Sequence, residues 1–357
     1  MSCCPEAKRK MLQIATHSGT FHADDALAVS MLRILPEYKN SSLVRTRQQE
    51  VLDSADIRVD VGGVYDPEKH SYDHHQAGFD HTMNSLNADK PWTVKLSSAG
   101  LVFNHFGRRI IRQLAKNFES TVDLDDKTVE KLFDKVYENF VMEIDAIDNG
   151  INQYKQNTPP KYRIRTCLSS RVDGLNPTWR EERNDQSLLE RFERAVTLTG
   201  GEFEQQIRYY FECWLPARLV VAKAVEKRFE TDQSGEIIEF TDELPPWQKD
   251  FFELEKELGI EGQIKYCIFH DDVDQTYRIR AIPIHADSFT LRFPLPAEWR
   301  GLRGEALSKV CGLSDAVFVH MTGFIGGAKS RESVFEMART SSKKAKEEEK
   351  KEENRLT

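Results

Sequence analysis

The chain has 357 residues, of which 39% are hydrophobic and 10% aromatic, so it can bury sizeable cores and is not a disordered polypeptide. At about 150 residues per domain, this length predicts roughly two domains. The apolar runs are only a few residues long, which excludes a membrane-spanning helix of about 20 residues. The 58 acidic residues outnumber the 50 basic ones, and the formal net charge of −8 excludes a globally basic nucleic-acid clamp, although not a local basic groove.

The six cysteines indicate a reduced, intracellular protein. Apart from the adjacent Cys3 and Cys4 they are scattered, and no Cys-x-x-Cys spacing predicts a zinc knuckle or a disulfide framework. The segment Met1 to Lys10 precedes the first predicted strand and carries no apolar stretch of signal-peptide length. Because it is short and contains the acidic Glu6, we expect neither secretion nor a mitochondrial presequence.

The N-terminal part of the sequence predicts an α/β domain. In chain order, the apolar patterns indicate a buried strand at 11–16, a polar loop at 17–22, a helix from Ala23, strands at 42–47 and 56–60, and long helices at 96–118 and 126–148. Short strands separated by helical segments are typical of a mostly parallel sheet. We expect this first domain to span residues 1–195.

The remaining sequence predicts a smaller α/β domain over residues 196–340. Its patterns indicate a long amphipathic helix at 201–230, strands at 236–240, 264–269, 276–284 and 316–321, and a helix at 332–338. Residues 341–357 are mostly Lys and Glu, and we expect them to form a charged tail without a core, either as a solvated helix or as a disordered segment.

Histidines and aspartates concentrate in the first third of the chain. Seven of the ten histidines fall before residue 106, namely His17, His22, His70, His74, His75, His81 and His105. Aspartates are interleaved with them, including Asp24, Asp25, Asp60, Asp66, Asp73 and Asp80. Imidazole and carboxylate ligands suit Mn, Fe, Mg or Zn ions. The composition of this segment therefore predicts a divalent-metal site.

The positions of these residues support the same prediction. Residues 17–25 follow the first strand, Asp60 ends another strand, and Asp73-His74-His75 lies on a later loop. Ligands of an open α/β sheet bind outside the carboxyl ends of its strands, so these loops can converge. Each residue alone has an ordinary structural interpretation, such as acids in the first turn of a helix. Together they favour metal binding.

The order of these motifs resembles the DHH phosphoesterase superfamily, which includes the RecJ-type exonucleases, the oligoribonucleases and the family II inorganic pyrophosphatases. The longer motifs are similar to those of the melanocyte-proliferating-gene family of metal hydrolases. They are THSGTFHADD at 16–25, VDVGG at 59–63, YDPEKHSYDHHQ at 65–76, EIDAIDNG at 143–150 and VHMTGFIGGAKS at 319–330. The resemblance covers about residues 11–340 and implies a DHH-like catalytic domain followed by a smaller accessory domain.

The resemblance implies a set of metal ligands and two catalytic residues. The implied ligands are His17, His22, Asp24, Asp60, His74 and Asp148. Asp60 matches a carboxylate that bridges two metals, and His75 matches the residue that contacts the substrate phosphate. Asp25 remains an alternative to Asp24, and Asp145 an alternative to Asp148.

Two divalent ions are the cofactors that this resemblance implies. They would activate water for attack on phosphorus. His22 stands where the superfamily has a carboxylate, and imidazole suits transition metals, so we expect Mn to be preferred over Mg.

The accessory domain is expected to bind the substrate. By resemblance to a glycine-rich motif, the candidates are His320, Gly326, Gly327, Lys329 and Ser330, although an ordinary Gly-rich turn is an equal alternative. Arg292, with Arg300, Arg303, Phe293 and Trp299, is a further candidate for a basic and stackable groove. Arg163, Arg165, Arg171 and Trp179 form a similar set.

The function predicted from the resemblance is 3′–5′ exonucleolytic hydrolysis of single-stranded RNA, in the nucleus or mitochondrion, with the cytoplasm as an alternative. One competing hypothesis is a phosphatase or pyrophosphatase acting on a small nucleotide or oligonucleotide. Another is a non-enzymatic, metal-dependent binding protein. We expect no membrane partner, and the sequence leaves the oligomeric state open.

Overall fold

The computed structural model describes residues 11–119, 124–154, 158–241 and 244–356. Cys3, Cys4 and the remainder of the segment Met1 to Lys10 lie outside the described residues. The chain forms two compact units, Met1–Glu212 and Cys213–Thr357. Each unit carries its own five-stranded sheet, which confirms the predicted α/β class.

The sheet of the first unit is mostly parallel, as predicted. Its strands are β1 (Gln13–Thr16), β2 (Ser42–Arg45), β3 (Ile57–Val59), β4 (Tyr65–Asp66) and β5 (Ser71–Tyr72). They lie in the order β2-β1-β3-β5-β4, and only β4, at the edge, runs antiparallel to its neighbour. The pair β4 and β5 was not predicted, because strands of two residues leave no detectable periodicity.

Eight helices accompany this sheet in the described part of the first unit. They are α1 (Ala23–Ile34), α2 (Gln49–Ser54), α3 (Met83–Leu86), α4 (Ser98–Asn117), α5 (Asp126–Val136), α6 (Met142–Asp148), α7 (Leu168–Asp173) and α8 (Asp185–Tyr209). The predicted helix over 126–148 is confirmed as α5 and α6, joined by the π-helical turn Tyr137–Val141. The central helix α1 packs against both α4 and α8. Burial of nearly every α1 residue fixes the position of its first turn.

The helical region predicted over 201–230 begins earlier in the structure and is divided into several helices. Helix α8 begins after Asn184, whose side chain accepts a hydrogen bond from Ser187 N, and it ends at Tyr209. The π-helical turn Tyr210–Trp214 and two further helices, Leu215–Glu226 and Arg228–Thr231, follow it in the chain. The predicted division after residue 195 falls inside α8, whereas the compact units divide between Glu212 and Cys213. Phe192, Ala195 and Phe203 are buried along α8, which ties this helix to the core of the first unit.

The second unit contains a mixed sheet. Its elements are α9 (Leu215–Glu226), α10 (Arg228–Thr231), β6 (Ile237–Phe240), α11 (Gln248–Leu258), β7 (Tyr266–Asp271), β8 (Thr276–Ala281), α12 (Gly304–Cys311), β9 (Ala316–Val319), β10 (Ile325–Ala328) and α13 (Arg331–Leu356). The strand order is β6-β7-β8-β10-β9, and all pairs except β6 with β7 are antiparallel.

Alternating side chains divide the core of the second unit between the two faces of its sheet. Tyr266 and Ile268 belong to one buried cluster, and Cys267 between them belongs to the other. Successive residues of a strand point to opposite faces, which produces this separation. Helix α13 packs on the first face, and helices α9 and α11 flank the second.

The last helix corrects the prediction of a coreless tail from residue 341. Helix α13 continues without interruption to Leu356, and both Ser341 and Ser342 are buried. Ser342 Oγ donates a hydrogen bond to Glu236 Oε2 at 2.6 Å. These small polar residues allow the helix to stay close to the sheet for one turn beyond the predicted end.

In the described ranges, no helix combines the length and the apolar character needed to cross a bilayer. Cys167, Cys213, Cys267 and Cys311 are free thiols, which agrees with the expectation of scattered, unpaired cysteines.

Candidate metal centre

The candidate metal centre lies at the carboxyl ends of β1, β3 and β5. His17 follows β1, Asp60 follows β3, and His74 and His75 follow β5. Asp60 adopts a left-handed conformation with φ of 57°, and its amide donates to Tyr72 O. Non-glycine residues rarely adopt such a φ, and they do so mainly at turns and functional sites. This conformation turns the Asp60 side chain out of the strand direction and into the cluster.

Asp60 is the centre of the cluster. Its Oδ2 lies 3.3 Å from His17 Nε2, and its Oδ1 lies 3.4 Å from His74 Nε2 and 3.3 Å from His75 Nδ1. Ser98 Oγ, at the start of α4, donates to Asp60 Oδ1 at 3.0 Å. The structure therefore brings together three of the predicted histidines around the one predicted bridging carboxylate.

The first turn of α1 contributes two aspartates with different surroundings. Asp25 Oδ1 accepts hydrogen bonds from the amides of His22 and Ala26, and its Oδ2 lies 3.1 Å from His17 Nε2. Neither carboxylate oxygen of Asp24 has a hydrogen-bond partner among the described residues, and the side chain is fully buried. Asp24 is therefore the acid of this turn that is free for a cation, while one oxygen of Asp25 holds the helix start.

The two aspartates near the end of α6 also differ in their surroundings. Asp148 Oδ2 lies 3.1 Å from His74 Nε2. Asp145 is fully buried, and its Oδ1 accepts hydrogen bonds from Ser97 N, Ser97 Oγ and Gly100 N. Its Oδ2 accepts from the Tyr137 hydroxyl at 3.1 Å. Asp148 thus faces the cluster, and Asp145 fastens α6 to the start of α4.

Asp73 positions the Asp-His-His loop. Its Oδ1 accepts from the amides of His74 and His75 and contacts His75 Nδ1 at 2.8 Å. Its Oδ2 accepts from Gly63 N at 2.6 Å. The sequence motif contains Asp73 but does not indicate this role, nor that of Ser98, whose only signal is its place at a helix start.

The surrounding carboxylates dominate the electrostatics of the cluster. Burial alone would lower the pKa of His17 and His74, but the facing acids outweigh it and raise these pKa values to about 10 and about 9. Burial and the charges of Asp60 and Asp148 raise the pKa of Asp24 well above its ordinary value. This balance shows a local excess of negative charge, which a cation would neutralise.

The donor set fits a divalent metal. Neither oxygen of the buried Asp24 has a hydrogen-bond partner among the described residues. The close contacts of Asp60 Oδ2, His17 Nε2 and His74 Nε2 with facing charged groups lack hydrogen-bond geometry. Three groups present ligand atoms within 4.8 Å of one another: His17, His22 and Asp60; Asp60, His74 and His75; and His22, Asp24 and Asp148. Asp60 and His22 are each shared between two groups, which agrees with a centre of more than one ion.

Two clefts of the first unit meet at this cluster. One has a volume of about 580 Å³ and is lined by Asp24, His74, Asp148 and the start of α7. The other has a volume of about 690 Å³ and is lined by His17, Asp60 and Arg47. His22 and His75 line both clefts. A ligand in either cleft would therefore reach the cluster.

The other histidines of the N-terminal segment lie outside the metal centre. His105 Nε2 is 2.8 Å from the Tyr65 hydroxyl, and the His81 ring packs edge-on against Tyr65. His70 occupies a left-handed turn position. Asp66 accepts hydrogen bonds from two amides of the following turn. The concentration of histidines thus indicated the region, but the strand ends decided which of them converge.

The predicted substrate residues of the second unit divide into structural and exposed ones. The buried Arg292 side chain donates to both oxygens of the equally buried Glu255, at 2.7 Å and 2.5 Å. Gly326 and Gly327 lie in β10 and pair with both β8 and β9. A Cβ on Gly327 would come within 2.9 Å of Tyr277 O, so these glycines allow close strand packing. Arg292, Gly326 and Gly327 therefore have structural roles, and their contact with substrate stays a prediction.

The remaining predicted residues of this motif are nearer to solvent. His320 and Lys329 are exposed, whereas Ser330 N donates to Asp315 Oδ2 and its hydroxyl bonds to Ser333. His320 lines a separate depression of about 580 Å³ that also includes Arg280 and Phe324. Arg300 Nε donates to Leu295 O, which gives this arginine a structural contact as well.

The fold and this cluster define an α/β protein with a candidate divalent-metal centre. The chain belongs to the MYG1 family, since the family model MYG1_exonuc, whose description is "Uncharacterised protein family (UPF0160)", matches residues 13–341 of the sequence. The MYG1 exonuclease of Homo sapiens is 48% identical over 327 residues, covering 92% of this chain and 85% of the relative. That of Rattus norvegicus is 48% identical, with 84% of the relative covered. MYG1 protein YER156C of Saccharomyces cerevisiae is 44% identical over 334 residues, covering 92% of this chain and 95% of the relative.

Proposed function

We propose that this protein is a metal-dependent exonuclease that hydrolyses single-stranded RNA from the 3′ end. The observation that carries the proposal is the crowding of buried imidazoles and carboxylates around Asp60, with facing atoms that lack hydrogen-bond partners within the described chain. The name of the mammalian relatives, MYG1 exonuclease, supports this reaction class. The similarity of the Asp-His-His motif to DHH phosphoesterases supports it too.

Two divalent ions, with Mn preferred over Mg, are the proposed cofactors. The residues that would hold them are His17, His22, Asp24, Asp60, His74 and Asp148. Such ions lower the pKa of water toward neutrality and stabilise charge on phosphoryl oxygens. The share of imidazole among the ligands favours a transition metal over Mg.

His75 is the proposed contact for the substrate phosphate. Its Nδ1 is engaged by Asp73, which holds the ring and leaves Nε2 for a phosphoryl oxygen. The side chain is 61% exposed and lines both clefts, so a substrate in either one can reach it. Asp73 fixes the backbone of the same loop and so orients this ring relative to Asp60.

A phosphatase acting on pyrophosphate or a short oligonucleotide is the second candidate. Clefts of about 580 and 690 Å³ lie in the range of small-molecule sites. The burial of Arg292 against Glu255 also removes one element of the extended basic groove expected for RNA. Both functions would use the same metal centre.

The test is digestion of a 5′-labelled single-stranded RNA by the EDTA-treated protein, with Mn, with Mg and without added metal. Asp60→Ala is compared with Asp53→Ala, which removes an exposed acid of α2 that pairs with Arg58. The proposal expects a ladder that shortens from the 3′ end, is strongest with Mn and disappears without added metal. Of the two variants, only Asp60→Ala is expected to lose the ladder. Asp60-dependent cleavage of pyrophosphate or a dinucleotide without any ladder would favour the phosphatase. Metal uptake without turnover on any of these substrates would favour a binding protein.

A further inference from the structure

The cleft that contains Asp148 is lined in part by a helix, and the segment that precedes this helix in the chain has an unusual surface. Helix α7 forms one wall, with Ser169, Ser170 and Asp173 lining the cleft. Residues 158–166, with the sequence TPPKYRIRT, lead directly into α7 and are exposed throughout. We call residues 158–166 the entry segment. It has three basic residues and no acidic one, in a chain whose net charge is −8.

The entry segment exposes side chains that proteins normally bury or pair. Tyr162 is 74% exposed and Ile164 is 59% exposed. Among the described residues, Arg163 and Arg165 have no ion-pair partner. In contrast, Arg171 of α7 pairs with Glu202 at 2.8 Å. The unpaired cations and the exposed ring therefore distinguish the entry segment from its surroundings.

The other flank of α7 carries a second aromatic and basic pair. Trp179 is 82% exposed, and the Arg180 guanidinium lies 4.6 Å from the centre of its ring. Arg165 is four residues from Ser169, so even a fully extended chain places it within about 14 Å of that cleft residue. Aromatic and basic residues thus flank α7 on both sides in the sequence, and α7 lines the cleft that contains Asp148.

We propose that the entry segment, together with Trp179, is a binding site for single-stranded nucleic acid that guides the strand into the metal cleft. Arg163 and Arg165 would contact successive phosphates, and the rings of Tyr162 and Trp179 would stack on bases. Sites of this composition bind single strands without sequence preference. Pro159 and Pro160 restrict the backbone before the basic residues, which lowers the entropic cost of ordering them. The inference rests on the proposed function, because it supplies the polymeric substrate that the metal centre alone does not specify.

The experiment measures binding of a fluorescently labelled 12-nucleotide RNA by anisotropy, with EDTA present so that no hydrolysis occurs, over a range of salt concentrations. The double variant Arg163→Ala/Arg165→Ala removes the phosphate contacts. The double variant Tyr162→Ala/Trp179→Ala removes the stacking contacts. Lys309→Ala and Tyr209→Ala are the matched controls, since they remove an exposed cation and an exposed aromatic ring elsewhere.

The arginine variant is expected to weaken binding and to reduce the slope of log K against log salt by about 1.4, which is roughly 0.7 per lost phosphate contact. The aromatic variant is expected to weaken binding by about fivefold or more while leaving the slope unchanged. Equal binding by the variants and the controls would overturn the inference and leave the proposed exonuclease intact. Absence of RNA binding by the unaltered protein, with Asp60-dependent cleavage of small phosphates, would overturn both.

Discussion

We expect Asp145 to contribute to stability, in contrast to Asp148 on the same helix, which faces the candidate metal centre. Its carboxyl group is fully buried and accepts four hydrogen bonds, from two groups of Ser97, from Gly100 N and from the Tyr137 hydroxyl. Burial nevertheless outweighs these donors and raises its pKa from 3.8 to about 7. A raised pKa means that the folded state binds the proton more tightly than the unfolded state. The resulting stabilisation is complete below about pH 4 and is lost as the pH rises to about 7.

The variant Asp145→Asn isolates this effect because an amide does not titrate. The shift of the Asp145 pKa from 3.8 to about 7 means that the free energy of unfolding of the unaltered protein falls by roughly 4 kcal/mol across that pH interval. We therefore expect Asp145→Asn to gain stability relative to the unaltered protein by up to about 4 kcal/mol between pH 4 and pH 7.5. Asp145→Ala leaves the facing donors unpaired and is expected to cost about 3 kcal/mol or more at any pH.

The assay is urea unfolding in EDTA at half-unit pH steps, followed by circular dichroism and by tryptophan fluorescence, to which Trp92, packed on Tyr137, contributes. Comparing the three proteins at each pH cancels the titration of all other groups. Parallel stability profiles for the unaltered protein and Asp145→Asn would refute the reasoning, because they would show that the carboxyl group is ionised throughout.

Three further changes test other contacts. Gly100→Ala would place a Cβ within 2.7 Å of Asp145 Cγ, and calorimetry should show a loss of about 1–3 kcal/mol; unchanged stability would contradict the close packing. Glu130 has its pKa lowered to about 2, chiefly by Arg108, so Glu130→Gln should lose about 1 kcal/mol near pH 7, with the difference vanishing as the pH falls from 4.5 to 2. Arg292→Met should cost about 3–5 kcal/mol by leaving Glu255 unpaired, and adding Glu255→Leu should restore much of it; additive losses would argue against the pair.

The general position of the candidate site follows from local sequence patterns. Apolar runs that end in polar residues predict where strands stop, and His17 and Asp60 each come directly after such a run. Parallel strands then place these residues at one edge of the sheet. The two short strands before His74 were missed, but the loop that follows them was not, because the Asp-His-His motif identified it.

The individual roles depend on contacts that sequence patterns do not contain. Asp145 and Asp148 lie on the same helix, and the difference between them is made by Ser97 and Gly100, which are 48 and 45 residues from Asp145. The sequence around Arg292 favours RNA binding, whereas the fold pairs this arginine with Glu255, 37 residues away. Charge and residue type predict that such groups interact, while the fold decides with which partner.

The central claim is that the cluster around Asp60 binds divalent metal, and the most direct test is calorimetric titration of Mn into EDTA-stripped protein. We expect two ions to bind per chain, with affinity lost in Asp60→Asn and retained in Asp53→Asn, because the Asp53 side chain lies on the surface. Absence of tight Mn binding, or equal binding by both variants, would contradict it.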